Sequence, residues 1–172
     1  MRIVIWLLAS MLVAVPASAA AAVRSWLQVH ADFDQVGHGL VLFDDDATIR
    51  ADGSIQARLS TYRSSNQLMP YWTTEFGSAH AAAGAVAALR QTLGDIEVGR
   101  LAGDCAVERQ VVGTGSVRIT WFGRGSRRNT IEVAARNPSL PVCGDEVRAL
   151  IEALARFLSE SGLPLRGLGG LR

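Results

Sequence analysis

The chain has 172 residues, of which 17 are basic and 16 acidic, giving a formal net charge of +1. Every basic residue is arginine, and lysine is absent. A balance this close to neutral argues against a protein that coats polyanions such as nucleic acid, and a chain without lysine cannot run serine–lysine hydrolysis.

The first predicted element is a leader. Met1-Arg2 is followed by an uncharged apolar run from Ile3 to Val15, then Pro16 and the small-x-small triplet Ala17-Ser18-Ala19. This is the layout of a secretory signal peptide spanning residues 1–19, with an apolar run too short to cross a bilayer as a mature helix. Arg2 leaves with it, so arginines and acidic residues become equal in number in the mature chain. The expectation is a periplasmic or secreted protein with one domain over 20–162, and a flexible tail over 163–172.

In SWLQVHADF (Ser25 to Phe33), Leu27, Val29, Ala31 and Phe33 alternate with Gln28, His30 and Asp32, the pattern of a half-buried strand. HGLVLF (His38 to Phe43) reads as a second, more apolar strand, and Asp44-Asp45-Asp46 reads as a polar turn. Asp52-Gly53 between two β-like runs predicts a hairpin, because its turn needs positive φ. SSNQLMPYWTTEFG (Ser64 to Gly77) is read as irregular, broken by Pro70. A helix is expected over 78–93, with Ser78 as its cap, Ala82, Val86, Leu89 and Leu93 as its apolar stripe and Gly94 beyond its end.

CAVERQVV, VRITWFG and NTIEVAAR then read as three more strands. A second helix is expected over 144–161, where Val147, Leu150, Ile151, Leu154 and Leu158 line one face with Phe157 alongside, and Gly162 and Pro164 stop it. Strands, helix, strands, helix argue an α+β fold: an antiparallel sheet built from two strand blocks, with both helices on one face. Cys105 and Cys143 are 38 residues apart. In an oxidising compartment such a pair is expected to form a disulfide, worth roughly 4 kcal/mol by the loop-entropy argument.

Chemistry-bearing patterns are sparse. There is no G-x-S-x-G elbow, and His30, His38 and His80 stand in no recognisable catalytic frame. In HADFDQVGH, His30, Asp32 and Asp34 share a strand face and His38 could fold back towards them, but the spacing reads as a polar strand edge entering a solvated loop. The aspartate triplet lacks the glycine and glutamate of a calcium-binding loop. No catalysis, metal or cofactor is expected.

Two features suit binding instead. WFGRGSRRNTI (Trp121 to Ile131) puts Arg124, Arg127 and Arg128 at a predicted hairpin tip, where guanidinium forks can grip carboxylates or phosphates. MPYWTTEF places Tyr71 and Trp72 in a loop-like segment, where large aromatics serve either as interface anchors or as part of the core. SVRITWFGRGSRRNTIEV followed by CGDEVRALIEALARFL resembles, in the order of its elements, small secreted protease inhibitors of the emfourin type. That resemblance implies a non-catalytic, protein-binding role. The sequence thus predicts an exported, non-catalytic binding module, a protease inhibitor or another protein-binding domain, for an unknown protein partner. The alternative is an envelope module that grips anionic lipid or lipopolysaccharide phosphates through its arginine tip. No nucleic-acid partner is expected.

Overall fold

The computed structural model describes residues 25–35, 41–63, 71–98, 104–107, 114–123, 127–135 and 139–170. The proposed leader, His38 and Arg124 therefore lie outside the described residues. The fold is α+β. Its elements are β1 (Ser25–Gln35), β2 (Val41–Arg50), β3 (Ser54–Arg63), β4 (Tyr71–His80), α1 (Ala83–Val98), β5 (Cys105–Val107), β6 (Thr114–Phe122), β7 (Arg128–Ala135), α2 (Asp145–Glu160) and α3 (Arg166–Gly170).

All seven strands form one sheet in the order β4-β3-β2-β1-β6-β7-β5. The first four make a meander whose innermost strand, β1, pairs antiparallel with β6, so α1 connects one edge of the sheet with the strand at the other. β5 runs parallel to β7, and this parallel edge departs from the all-antiparallel expectation.

Alternation decides the faces. Leu27, Val29, Ala47, Ile49, Ile55, Val117, Ile119, Trp121, Ile131 and Val133 are all odd-numbered and buried. They form one core with Val86, Leu89, Leu93 and Ile96 of α1 and with the apolar stripe of α2. The second helix matches its expected span closely. Asp145 and Glu146 occupy its positive first turn, and Gly162, at φ 78°, follows its last residues. The Asp52-Gly53 hairpin also forms, with Gly53 at φ 90°.

Four expectations are corrected. Asp44-Asp45-Asp46 is not a turn; it lies within β2, because neighbours of opposite charge on both faces satisfy its carboxylates. The segment read as irregular includes the start of β4, which pairs with β3 from Tyr71 to His80. That pairing takes Ser78 into a strand, so the first helix starts at Ala83 and continues past Gly94 until Ile96 has joined the core. The tail expected to be flexible carries α3: Leu165 and Leu168 are buried, and Gly167 lies so close to β1 that a Cβ there would approach Ala31 Cβ to 2.6 Å.

Arg166 explains that anchoring. Its Nη2 donates to Asp45 Oδ1 at 2.6 Å, and its backbone N–H and Nε donate to Oδ2 at 3.0 and 3.2 Å. It also donates to the Ser60 carbonyl and the Thr61 hydroxyl, and stacks over Phe43 at 4.6 Å. The Asp45 side chain is fully buried, so this carboxylate needs a cation beside it.

At the parallel edge, Cys105 and Cys143 form the disulfide, with Cα atoms 4.9 Å apart. Beside it, Ala106 N–H donates to the Pro141 carbonyl at 2.8 Å and Cys143 N–H to the Ala106 carbonyl at 2.9 Å. The segment before α2 thus covers the edge of the short strand β5.

Candidate functional site: the outer sheet face and its aromatic edge

Most even-numbered strand positions form the opposite face, where charged and hydroxyl side chains lie beside Trp72, Phe76 and Phe122. One row runs across six strands: Phe76 on β4, Arg58 on β3, Asp46 on β2, His30 on β1, Arg118 on β6 and Glu132 on β7. The row beside it holds Thr74, Ser60, Asp44, Asp32 and Ser116. His30, Asp44, Asp46, Arg58 and Glu132 are each about one-third exposed, and Arg118 half. The charged side chains of this face thus reach water in part, whereas Ser60 between them is buried.

The ions are largely matched within the face. Arg58 donates to both oxygens of Asp44 at 3.1 and 3.2 Å, and to Asp46 from Nε at 2.8 Å and from Nη2. His30 Nδ1 lies 2.8 Å from Asp46 and 3.7 Å from Asp44. Partial burial would raise the Asp46 carboxyl, but hydrogen bonds from Arg58 and His30 outweigh it and hold the group below its ordinary value. The bond to Asp46 raises Arg58 in turn. Arg118 donates to Glu132 at 2.7 Å and is raised by it. Asp32 accepts from both the backbone N–H and the hydroxyl of Ser116, at 3.1 and 2.7 Å.

One atom each from His30, Asp44 and Asp46 could meet around a metal ion, all lying within 4.8 Å of one another. Arg58 already bridges the two carboxylates, so a metal would have to displace a fixed guanidinium that satisfies the same charge. The sequence grouping of His30 with Asp32 and Asp34 took its ligands from one strand. In the fold, the partners of His30 come from β2 across the sheet, a pairing that only the register creates.

The aromatic rim lies on β4. Tyr71 is 52% exposed, Trp72 50% and Phe76 80%. Trp72 and Phe76 share the outer face, and the Trp72 ring is 5.2 Å from that of Tyr62 on β3. Tyr71 and Trp72 are thus on a strand and exposed, not in a loop. Phe76 was missed by the sequence reading; its position four residues from Trp72 on one strand face would have shown it, had the segment been read as β.

The arginine tip lies elsewhere. Arg127 and Arg128 are exposed where β7 begins, with Arg128 opposite Phe122 and the Gly123 N–H donating to the Arg127 carbonyl at 2.9 Å. Register places this tip level with Leu27 and the Asp52-Gly53 hairpin, whereas Tyr71 and Trp72 lie at the other end of the strands. Five strand spacings also separate β4 from β7, roughly 24 Å. Arg127 and Arg128 and the aromatic residues therefore lie at opposite corners of the sheet. Arg118 shares the outer face with Arg128 but is paired with Glu132. No protein-family model matches the chain, and no curated protein matches it.

Proposed function

We propose that the chain is an exported, non-catalytic binding module that recognises a protein partner through the outer sheet face and its aromatic rim. The observation that carries this reading is the placement of Trp72 and Phe76, both exposed, on the outer face of one edge strand beside a row of part-exposed charged side chains, with Tyr71 exposed on the opposite face of the same strand. Aromatic anchors beside polar groups are the composition of recognition surfaces. The charged groups of the face are engaged with one another, which pre-organises them to present a fixed pattern of donors and acceptors.

Export rests on the leader pattern at residues 1–19 and on the disulfide, which is consistent with an oxidising compartment. Among the described residues, no helix is long and apolar enough to cross a membrane. A secreted or periplasmic protease is one partner of the right class, given that the sequence resembles small secreted inhibitors in the order of its elements.

The experiment is a capture assay from the source organism's envelope and secreted fractions, using wild type beside two folded variants, Trp72→Ser and Arg127→Ser/Arg128→Ser. A protein held by wild type and by the arginine variant but lost with Trp72→Ser supports the outer-face reading. Loss only with the arginine variant moves recognition to the hairpin tip. Salt-sensitive binding of anionic vesicles by wild type, abolished in the arginine variant, would replace the protein partner with envelope phosphates.

A further inference from the structure

We infer that β4 is a dimer edge: two copies of the chain join β4 to β4 antiparallel, in the register that centres on Phe76. The two edges of the sheet are treated very differently by the fold. β5 is short, and its free side is capped by the segment around Pro141–Cys143 and tied by the disulfide. β4 has ten residues, and its ladder with β3 runs unbroken from Tyr71 opposite Arg63 to His80 opposite Ser54. Among the described residues it has a strand neighbour on one side only.

Soluble proteins blunt such edges with lysine, proline, a bulge or a covering segment. β4 contains no lysine or proline, its ladder with β3 shows no register shift, and it bears three exposed aromatic side chains instead. An edge in this condition is built to be paired.

The sequence of β4 narrows what can pair with it. In an antiparallel pair related by a two-fold axis, directly opposed residues share a face, so even positions oppose even positions. The register centred on Glu75 sets two carboxylates against each other and is disfavoured. The register centred on Phe76 keeps Trp72 to His80 paired: Phe76 meets Phe76 of the second copy, Trp72 meets its His80, Thr74 its Ser78, and Glu75 its Gly77. No like charges are directly opposed, and the most exposed large apolar side chain of the described chain finds an aromatic partner. Both outer faces then point the same way. The rim of one chain becomes the central ridge of a fourteen-stranded platform, flanked on each side by the Arg58–Asp46–His30 row.

The test is sedimentation equilibrium of the mature, disulfide-intact protein together with cysteine trapping. Wild type should sediment as a concentration-dependent dimer. Phe76→Lys, at an 80% exposed position that leaves the core untouched, should weaken the dimer by at least about tenfold in Kd. Among the described residues there is no free thiol to compete in trapping. Phe76→Cys should cross-link to itself, since Cα atoms opposed in an antiparallel pair are roughly 4.5–5.5 Å apart, within disulfide reach. Thr74→Cys should not, because its own copy lies about 13 Å away along the strand. A wild-type monomer over the micromolar to hundred-micromolar range, a dimer that Phe76→Lys leaves intact, or preferential trapping through Thr74→Cys would each overturn the inference. Partner capture by wild type at concentrations below and above the dimer Kd, with the rim unaltered, tests the recognition reading separately.

Discussion

Replacing Arg166 by methionine keeps the length and apolar body of the side chain but removes its charge. Asp45 then loses two charge-assisted hydrogen bonds, those from Nε at 3.2 Å and Nη2 at 2.6 Å, and keeps only the one from the Arg166 backbone N–H. Its carboxylate is fully buried in the middle of β2 and cannot turn to water. Each such bond is worth about 1.5–3 kcal/mol, and breaking one side of a buried pair costs about 3–5 kcal/mol. Because a third of the Arg166 side chain is exposed and already partly screened, the lower end applies, about 3 kcal/mol. For a domain of this size that is a fall of roughly 10 °C in Tm. Urea unfolding of the oxidised protein, with m compared between variants, reads the change directly. The double variant Asp45→Val/Arg166→Met should regain most of the loss, since no buried charge is left unpaired. If Arg166→Met alone lies within about 0.5 kcal/mol of wild type, the ion pair does not anchor the C-terminal segment, and the reasoning fails.

The remaining predictions concern packing and pH. Gly167→Ala would bring a Cβ to 2.6 Å from Ala31 Cβ, so α3 must shift outward at a cost of about 1–3 kcal/mol; an unchanged melting temperature would show that this approach is not tight. Asp46 is held below its ordinary value in the fold, so its contribution to stability is fully present above the unfolded carboxyl range and is lost as pH falls through the depressed folded value. Asp46→Asn should therefore flatten the acid limb of the stability curve while leaving its slope above neutral pH unchanged. Equal acid limbs in the two proteins would mean that Arg58 and His30 do not hold this carboxylate in solution.

How much of this was readable before folding differs by element. The last helix was visible because Val147, Leu150, Ile151, Leu154 and Leu158 repeat at helical spacing between an acidic first turn and Gly162. The hairpin at Gly53 was visible because only a few residues accept its φ. β4 was hidden because Tyr71, Trp72 and Phe76 lie on an edge strand with no buried position, so no apolar-polar alternation marks it. The candidate site was half legible. Tyr71 and Trp72 stand out as large aromatics in a polar segment, whereas Asp46 reads only as part of a turn and its pairing with His30 and Arg58 is hidden, since His30 lies 16 residues before it and Arg58 12 residues after it.

Local patterns thus determined the α+β class, the pairing of Cys105 with Cys143, and the faces of those elements whose periodicity is strong. These depend on neighbours in the chain or, for the disulfide, on there being only two cysteines. Tertiary structure alone decided that Asp44, Asp45 and Asp46 sit in a strand, that Arg166 fastens the C-terminal segment, and that the aromatic rim stands at the opposite corner of the sheet from Arg127 and Arg128. The reason is that a strand carrying three acidic residues is stable only when counter-ions from β1, β3 and the C-terminal segment reach it on both faces. Those counter-ions meet it only once sheet register brings distant parts of the chain together.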